Sequence, residues 1–535
     1  MSIKKAKSEK RAFVIGLDGA TFDLIEPWID KGELPNLSEL SKESARGKLL
    51  STIPLLSPPA WASFATGCNP GKHGIFDFYI KACRTYEKAP VSSRTVASET
   101  LWKILERNGK KIGLLNVPLT YPPIEIKGFM VSGLGAPSFE SEFTYPSNLK
   151  DELKKVIGDY VIDVEYDLHQ KIDVDEFSKD LEKMIEFRKR ACIFLMEKYS
   201  WDFFMVVFVG IDRIQHLGWE KNSNEFKAIL KIHKKIDEAI GEILSKLDEN
   251  TIVVILSDHG FHQVYKKFCV NTFLKKLGLL KTRRRLDILF FFYQFFELSI
   301  RKLPSFVKRR ILRIFDSFIS KYKKKTFISN INWQKTKAYM DSQFGISINL
   351  KKREPQGIVD LDECEKIKNF LIKNLKELCD PETGEKIIKA AFKREEIYSG
   401  NHLSESPDIL FSLKPGYNTS EKLISKITSQ QTNTSGFHSM NGIFMIRDRR
   451  VIEKKSIEEA RIVDITPTIL YLMGVPVPKS MDGRVLTELF KKEYLKSNPI
   501  EYVKEDIKVK KTKLDVYSKE DQERIEKRLK GLGYL

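Results

Sequence analysis

Short apolar runs along the chain alternate with longer segments whose apolar positions recur about every three to four residues. The runs AFVIGL, FFMVVFV and IVVIL begin at residues 12, 203 and 252, and no charged residue interrupts them. Continuous apolar runs are typical of strands buried on both faces. The segment 223–249 instead has helical periodicity. This alternation predicts an α/β fold with a doubly wound, mostly parallel sheet.

Carboxylates or histidines follow these apolar runs. Ligands of open α/β sheets bind outside the carboxyl ends of the strands, so such side chains are expected at one edge of the sheet. The segment SGFHSMNG, later in the chain, adds a further histidine to the set. The candidates are Asp18 after the first run, Asp212 and His216 after the second, Asp258 and His259 after the third, and His438 in the later segment.

Each candidate also has an ordinary structural interpretation. Aspartate before glycine, as at Asp18, is common in turns. The spacing of Asp212 and His216 suits a hydrogen-bonded pair on one helical turn, and His438 alone could be structural. Together, however, three carboxylates and three imidazoles suit zinc or manganese. With the oxygen of Ser57 as a further candidate ligand, they exceed the usual four ligands of one zinc ion, which indicates two divalent ions, with zinc favoured and manganese open.

The stretch LSPPAWASFATG, residues 56–67, places Ser57 before two prolines at the start of a predicted helix. Proline suits the first helical turn, so Ser57 is predicted as the N-cap. A helix N-terminus also offers free N–H groups and a positive dipole end to a phosphate. Ser57 is therefore also a candidate nucleophile, with the amides that follow it expected to hold a nonbridging phosphate oxygen.

Composition adds a strong basic bias to this picture. The 535 residues carry a formal net charge of +19, with dense basic runs between Lys281 and Lys325. Between those runs, residues 286–300 are aromatic and apolar but too short to span a bilayer and include two acids. The stretch is predicted as a core-facing or lid helix. The alternative is that residues 283–325 contact an anionic membrane surface or an oligomer partner.

The chain length favours two or three structural units in a globular protein. The predicted division is 1–270 as the first part of the core, 271–400 as an inserted cap, 401–490 as the second part of the core, and 491–535 as a helical tail. The basic start runs directly into an apolar strand without a signal-peptide pattern, and the six cysteines lack C-x-x-C pairing. Both features favour a cytoplasmic location, with peripheral membrane contact as an option.

The ordered motifs GLDG, SPPAWASFATGCNPGKHG, GIDRIQH, SDHGF and GFHSMNG resemble those of the alkaline phosphatase superfamily, and of its type I phosphodiesterase and nucleotide pyrophosphatase branch in particular. The resemblance covers residues 11–270 and 325–490. It implies that Asp212, His216 and His438 hold one ion. It also implies that Asp18, Asp258 and His259 hold the other beside Ser57, at the position of the branch's Thr or Ser nucleophile.

The resemblance implies metal-dependent hydrolysis of a phosphodiester or pyrophosphate through a phosphoserine. Members of the branch typically have Asn three residues after the nucleophile, where this chain has Ala60, so the phosphate contacts are in doubt. Alternatives are a phosphomonoesterase, a phosphoglycerate mutase-like phosphotransferase, or a non-catalytic protein that binds a phospholigand or a membrane surface. A phosphorylated small-molecule or lipid-linked substrate is expected, specific nucleic-acid binding is not, and the oligomeric state stays open.

Overall fold

The computed structural model describes residues 10–81, 85–167, 172–221, 223–283, 331–431, 436–504 and 516–532. The basic aromatic segment predicted at residues 283–325 lies outside these ranges, apart from Arg283. Across the described ranges, no helix combines the length and the apolar character needed to cross a membrane.

Strands and helices alternate through most of the described chain. The strands are β1 (Ala12–Leu17), β2 (Ala45–Leu50), β3 (Tyr79–Lys81), β4 (Lys88–Pro90), β5 (Ile112–Val117), β6 (Gly128–Ser132), β7 (Thr144–Tyr145), β8 (Phe203–Phe208), β9 (Ile252–Leu256), β10 (Gly260–Cys269), β11 (Ala338–Ser342), β12 (Gly345–Ile348), β13 (Ile388–Lys393), β14 (Ile409–Leu413), β15 (Gly416–Ser420), β16 (Thr428–Gln430), β17 (Gly436–Ser439), β18 (Asn441–Arg447), β19 (Ser456–Arg461), β20 (Val477–Pro478) and β21 (Tyr502–Val503).

The α-helices range in length from single turns to the 25 residues of α7. They are α1 (Phe22–Asp30), α2 (Pro35–Glu43), α3 (Ser57–Thr66), α4 (Pro70–His73), α5 (Leu101–Arg107), α6 (Leu149–Ile157), α7 (Val174–Lys198), α8 (Gly210–Gln215), α9 (Asn224–Leu244), α10 (Val270–Lys276), α11 (Leu361–Glu377), α12 (Arg394–Ile397), α13 (Ile462–Met473), α14 (Lys492–Ser497) and α15 (Lys519–Gly531). Short 3₁₀ turns cover Ser93–Thr95, Trp333–Lys335, Leu403–Glu405 and Thr487–Leu489.

A nine-stranded sheet forms the centre of the fold, in the order β19-β2-β18-β9-β1-β8-β5-β6-β7. Strand β1 runs parallel to both neighbours, β8 and β9. Every residue of β1, β8 and β9 is buried, as their continuous apolar runs predict. The predicted α/β class and mostly parallel sheet are confirmed. The strand order reverses at β1, and ligand sites of such sheets lie at this kind of switch point.

A second body of structure is built around the antiparallel sheet β11-β12-β14-β13 and helix α11. Beside it, β10 extends from the central region and pairs with β15, β16 and β17. The two bodies have separate hydrophobic clusters, and α15 contributes Ile525 and Leu529 to the second one. The chain re-enters the central sheet at β18. The domain boundaries at residues 270, 400 and 490 stay sequence-based predictions.

Candidate active site

The structure brings all seven candidate residues to the carboxyl edge of the central sheet. Their positions follow from the chain path: one lies just after β1, two in or after α8, two after β9, one on β17 and one at the start of α3. All seven side chains are buried, with at most 2% of any residue exposed. They are Asp18, Asp212, His216, Asp258, His259, His438 and Ser57.

Two groups of ligand atoms lie close enough together to hold metal ions. Asp212, His259 and His438 form one group, and Asp18, Asp258 and His259 form the other, with the ligand atoms of each group within 4.8 Å of one another. His259 belongs to both groups, whereas the resemblance assigns it to one. His216 lies beside the first group, with its Nε2 atom 3.5 Å from Asp212 Oδ1.

Each of the three carboxylates has one oxygen held by an N–H donor. The Trp61 indole donates to Asp18 Oδ2 at 3.2 Å, and the Gly19 amide donates to Asp258 Oδ1 at 3.2 Å. The Arg213 guanidinium donates to Asp212 Oδ2. The other oxygens face the histidines: Asp212 Oδ1 lies 3.3 Å from His438 Nε2, and Asp258 Oδ2 lies 3.2 Å from His259 Nε2.

The three imidazoles are oriented by backbone carbonyls. The Nδ1 atoms of His216, His259 and His438 lie 3.2, 3.1 and 2.8 Å from the carbonyl oxygens of Gly436, Gly260 and Leu55. Such a bond assigns the proton to Nδ1 and leaves Nε2 with its lone pair. In all three rings Nε2 therefore faces the carboxylates as a metal ligand would.

Burial and crowding of like charges shift the pKa values of the site. Burial and the carboxylates of Asp258 and Asp212 raise the pKa of Asp18 well above its usual value. Burial and Asp212 raise the pKa of Asp258 to about 7. Burial lowers the pKa of His259 and of His438 to about 4, so both rings are neutral at pH 7.

Asp212 shifts in the opposite direction from the other two carboxylates. Burial alone would raise its pKa, but the contacts with His216 and His438 and the charge of Arg213 hold it well below its usual value. Three carboxylates thus share one buried pocket with the neutral imidazoles of His259 and His438. Asp18 Oδ1 and Asp258 Oδ2 accept no hydrogen bond from the described residues. This donor set fits divalent cations, which would offset the buried negative charge.

Ser57 is the first residue of α3, and the N-cap is Leu56. The prediction of Ser57 as the cap is therefore wrong by one residue. The expected amide contacts are also wrong: Pro58 and Pro59 have no N–H, and the Ala60 amide donates to the Leu56 carbonyl at 3.2 Å. The Ser57 hydroxyl instead lies 3.2 Å from His259 Nε2, inside the ligand cluster.

Four residues that support the ligands were missed as functional candidates. Trp61 and Arg213 hold carboxylate oxygens, and Asp163 binds Arg213 through both carboxylate oxygens. Gln215 donates to the Gly19 carbonyl at 2.8 Å and so supports the turn that holds Asp258. Arg213 and Gln215 lie within the motif GIDRIQH, where adjacency to the ligands indicates a supporting role. Asp163 has no such sequence context.

Of the other described histidines, three make structural contacts, whereas the buried Nε2 atom of His262 has no hydrogen-bond partner among the described residues. His73 Nε2 lies 2.9 Å from Ser63 Oγ, while its Nδ1 accepts the Ile75 amide, which fixes the turn after α4. His233 Nδ1 lies 2.8 Å from the Ile229 carbonyl within α9. His402 pairs with Glu405 at the surface. His169 lies outside the described residues.

Comparison with known families gives a match that covers most of the chain. The family model described as type I phosphodiesterase / nucleotide pyrophosphatase matches residues 12–441. The chain belongs to this family. The resemblance found in the sequence motifs is confirmed, and so is the prediction that the protein is a hydrolase acting on phosphoric ester bonds. Membership of this family indicates a hydrolase rather than a non-catalytic protein that binds a phospholigand.

Solved structures of low sequence identity share the fold. Phosphonoacetate hydrolase from Sinorhizobium meliloti 1021, in complex with phosphonoformate, is 12% identical with a TM-score of 0.52, over 87% of this chain and 96% of that chain. Murine ectonucleotide pyrophosphatase/phosphodiesterase 5, in an inactive form in complex with AMP, is 13% identical with a TM-score of 0.50, over 90% of this chain and 100% of that chain.

A curated protein matches over a much shorter stretch. GPI ethanolamine phosphate transferase 2 of Kluyveromyces lactis is 31% identical over 65 residues. The match spans 12% of this chain and only 8% of the length of that protein.

Proposed function

We propose that this family member is a metal-dependent hydrolase of phosphodiester or pyrophosphate bonds, with Ser57 as its nucleophile. The observation that carries the proposal is the position of the Ser57 hydroxyl. Its Oγ lies 3.2 Å from His259 Nε2, and His259 is the residue that belongs to both groups of candidate ligands. A serine in this position lies next to both candidate ion sites.

The residues proposed to hold two divalent ions are those of the two clusters, with His216 completing the first. Zinc is favoured by the histidine-rich set, and manganese is the alternative. Bound ions of this kind lower the pKa of an adjacent hydroxyl and offset the charge of a phosphate. The orphaned oxygens of Asp18 and Asp258 and their raised pKa values support this assignment.

Ser57 supplies the covalent chemistry in this proposal. Its Oγ forms a new bond to phosphorus, and the leaving alcohol or phosphate departs with the electron pair of the broken P–O bond. Water then cleaves the phosphoserine, which returns the hydroxyl and releases the second product. The proton of the hydroxyl passes to solvent, and the leaving group takes one from water. His259, oriented by the Gly260 carbonyl, would hold its ion beside the Ser57 hydroxyl.

Ser57→Ala tests this assignment, with Ser63→Ala as the matched control. Ser63 is a buried serine of the same helix that also contacts a histidine, but that histidine is His73, outside the cluster. Ser57→Ala should lose turnover and retain its metal, whereas Ser63→Ala should keep turnover. Acid quenching of the wild type during turnover should trap phosphate on residue 57. Unaltered turnover in Ser57→Ala would falsify the proposal.

A substrate panel separates the proposed activity from its alternatives. Faster hydrolysis of bis-nitrophenyl phosphate than of nitrophenyl phosphate supports a diesterase, and the reverse order of rates supports a phosphomonoesterase. Transfer of phosphate to an added alcohol at the expense of hydrolysis supports a phosphotransferase. The panel is run with zinc and with manganese added separately to metal-free protein, and the ion that restores turnover identifies the cofactor.

The substrate, the membrane contact and the cellular location remain proposals from the sequence. The aromatic and basic composition of residues 283–325 suits an anionic, lipid-linked phosphate or the surface of an anionic membrane. We propose a cytoplasmic protein that contacts such a membrane peripherally through this segment.

A further inference from the structure

The carboxylate of Asp212 differs from the other two in how it is held. Asp18 and Asp258 accept from neutral donors, an indole and a backbone amide. Asp212 accepts from Arg213, a charged guanidinium whose side chain is only 1% exposed. A buried guanidinium needs a counter-charge of its own.

Asp163 supplies that counter-charge from a distant part of the sequence. Arg213 Nε lies 3.1 Å from Asp163 Oδ1, and Arg213 Nη2 lies 2.7 Å from Asp163 Oδ2. This fork geometry fixes the plane of the guanidinium. The Asp163 side chain is 2% exposed, and its Oδ1 also accepts the Val164 amide at 2.9 Å. The arginine is therefore held rigidly on the side away from the site.

We infer that Arg213 and Asp163 form a positioning pair that aims Asp212 at one of the two ions. With Oδ2 bound to Arg213, Oδ1 lies 3.3 Å from His438 Nε2 and 3.5 Å from His216 Nε2. Arg213 touches neither substrate nor ion in this role. The inference rests on the proposed function, because it assumes that these three ligands hold a metal.

A purely structural ion pair would stabilise the fold without affecting metal binding. Arg188 provides the comparison, because it is fully buried and donates to the Ile162 carbonyl at 2.8 Å. It thus anchors the segment that carries Asp163 through a backbone carbonyl rather than through the carboxylate. Loss of Arg188 should disturb this segment while the ligand cluster keeps its supports.

The test measures zinc binding by chelator competition on metal-free full-length protein, together with the absorption spectrum after loading with cobalt(II). The variants are Arg213→Met, Arg213→Lys, the double variant Asp163→Asn/Arg213→Met, and Arg188→Met as control. The double variant removes both charges and avoids leaving Asp163 buried and unpaired. Thermal melting of each metal-free protein reports its folding separately.

Arg213→Met and the double variant should lose about 10–100-fold in affinity for one of two zinc ions, the range typical of groups that orient metal ligands. Arg213→Lys should recover part of this loss, and Arg188→Met should retain both affinities. The cobalt spectrum should change only in the Arg213 variants. Wild-type affinity in the folded double variant, or an equal loss in Arg188→Met, overturns the inference and leaves the proposed function standing. A wild type that binds no divalent ion overturns both.

Discussion

Asp258→Asn should make the metal-free protein more stable at alkaline pH, although it removes a proposed metal ligand. Burial and Asp212 raise the pKa of Asp258 from an ordinary 3.8 to about 7. Between these two values the folded protein binds more protons than the unfolded chain. The free energy of unfolding contributed by this group is therefore fully present below pH 3.8 and falls as pH rises through about 7.

The size of the effect follows from the gap between the two pKa values. At about 1.4 kcal/mol per pH unit, the gap corresponds to roughly 4 kcal/mol of stability lost by pH 8. The substitution can keep the contacts of the carboxylate, because Asn Oδ1 can accept the Gly19 amide as Asp258 Oδ1 does at 3.2 Å. Its amide would lie where Oδ2 is 3.2 Å from His259 Nε2, a nitrogen that can accept a hydrogen bond.

The assay is thermal melting of chelator-treated wild type and Asp258→Asn at pH 5 and pH 8, with and without added zinc. Without metal, the variant should melt above the wild type at pH 8 and closer to it at pH 5. With zinc the order should reverse. The pKa values of His259 and His438 are lowered to about 4, so their contribution to the free energy of unfolding rises as pH rises, opposite to that of Asp258. Both proteins contain these histidines, so their contribution largely cancels when the variant is compared with the wild type.

Asp237→Asn is the control for this experiment. Asp237 is a buried carboxylate away from the candidate site. It accepts three hydrogen bonds, from the backbone and side-chain amides of Asn36 and from the backbone amide of Leu37. An amide there loses at least one of these bonds, so the variant should melt lower and still gain stability from zinc. If metal-free Asp258→Asn melts at or below wild type at pH 8, the crowded carboxylates do not cost stability and the reasoning is wrong.

Two further predictions address the other ion site and the basic segment. Trp61→Phe removes the N–H that holds Asp18 Oδ2, and a hydrogen bond to a charged group contributes about 1.5–3 kcal/mol. Zinc affinity measured by chelator competition should therefore fall about 10-fold. Unchanged affinity would contradict the role of Trp61 in holding Asp18. Deletion of residues 283–325 should reduce sedimentation with anionic vesicles and slow hydrolysis of a lipid-linked phosphodiester more than that of bis-nitrophenyl phosphate. If the full-length protein ignores vesicles and the deletion slows both substrates equally, the segment is structural and the lipid interpretation is wrong.

The sequence predicts the centre of the fold because each central strand is a continuous apolar run. Asp18 and Asp258 follow β1 and β9 directly, so the strand ends alone bring them to one edge. The cap is less predictable. The stretch TKAYMDSQFGISINL has the apolar and β-branched character of a single strand, whereas the structure has the hairpin β11–β12, with Ser342 opposite Gly345. A Cβ at Gly345 would lie 2.5 Å from Pro407, a residue distant in the sequence. The need for glycine at this position is therefore visible only in the folded structure.

Contacts between distant segments were beyond sequence reasoning. Nothing in the residues around Asp163 indicates that it binds Arg213. The assignment of His259 to a single ion also depended on resemblance, and only the three-dimensional arrangement places this residue in both groups. The absence of amides after Ser57, in contrast, was already implied by the sequence, because two successive prolines remove two N–H groups from the first helical turn.

The prolines also bear on how this family member treats its substrate. Relatives typically place an asparagine three residues after the nucleophile, but Ala60 is fully buried here, packs in the central hydrophobic cluster, and donates its amide to Leu56. Neither Pro58, Pro59 nor Ala60 therefore offers a phosphate a free backbone N–H at the start of α3. The backbone donor that remains in this turn is the amide of Ser57 itself, next to the ligand cluster. We expect selectivity among phosphoesters to depend on groups outside the ligand cluster that contact the leaving group.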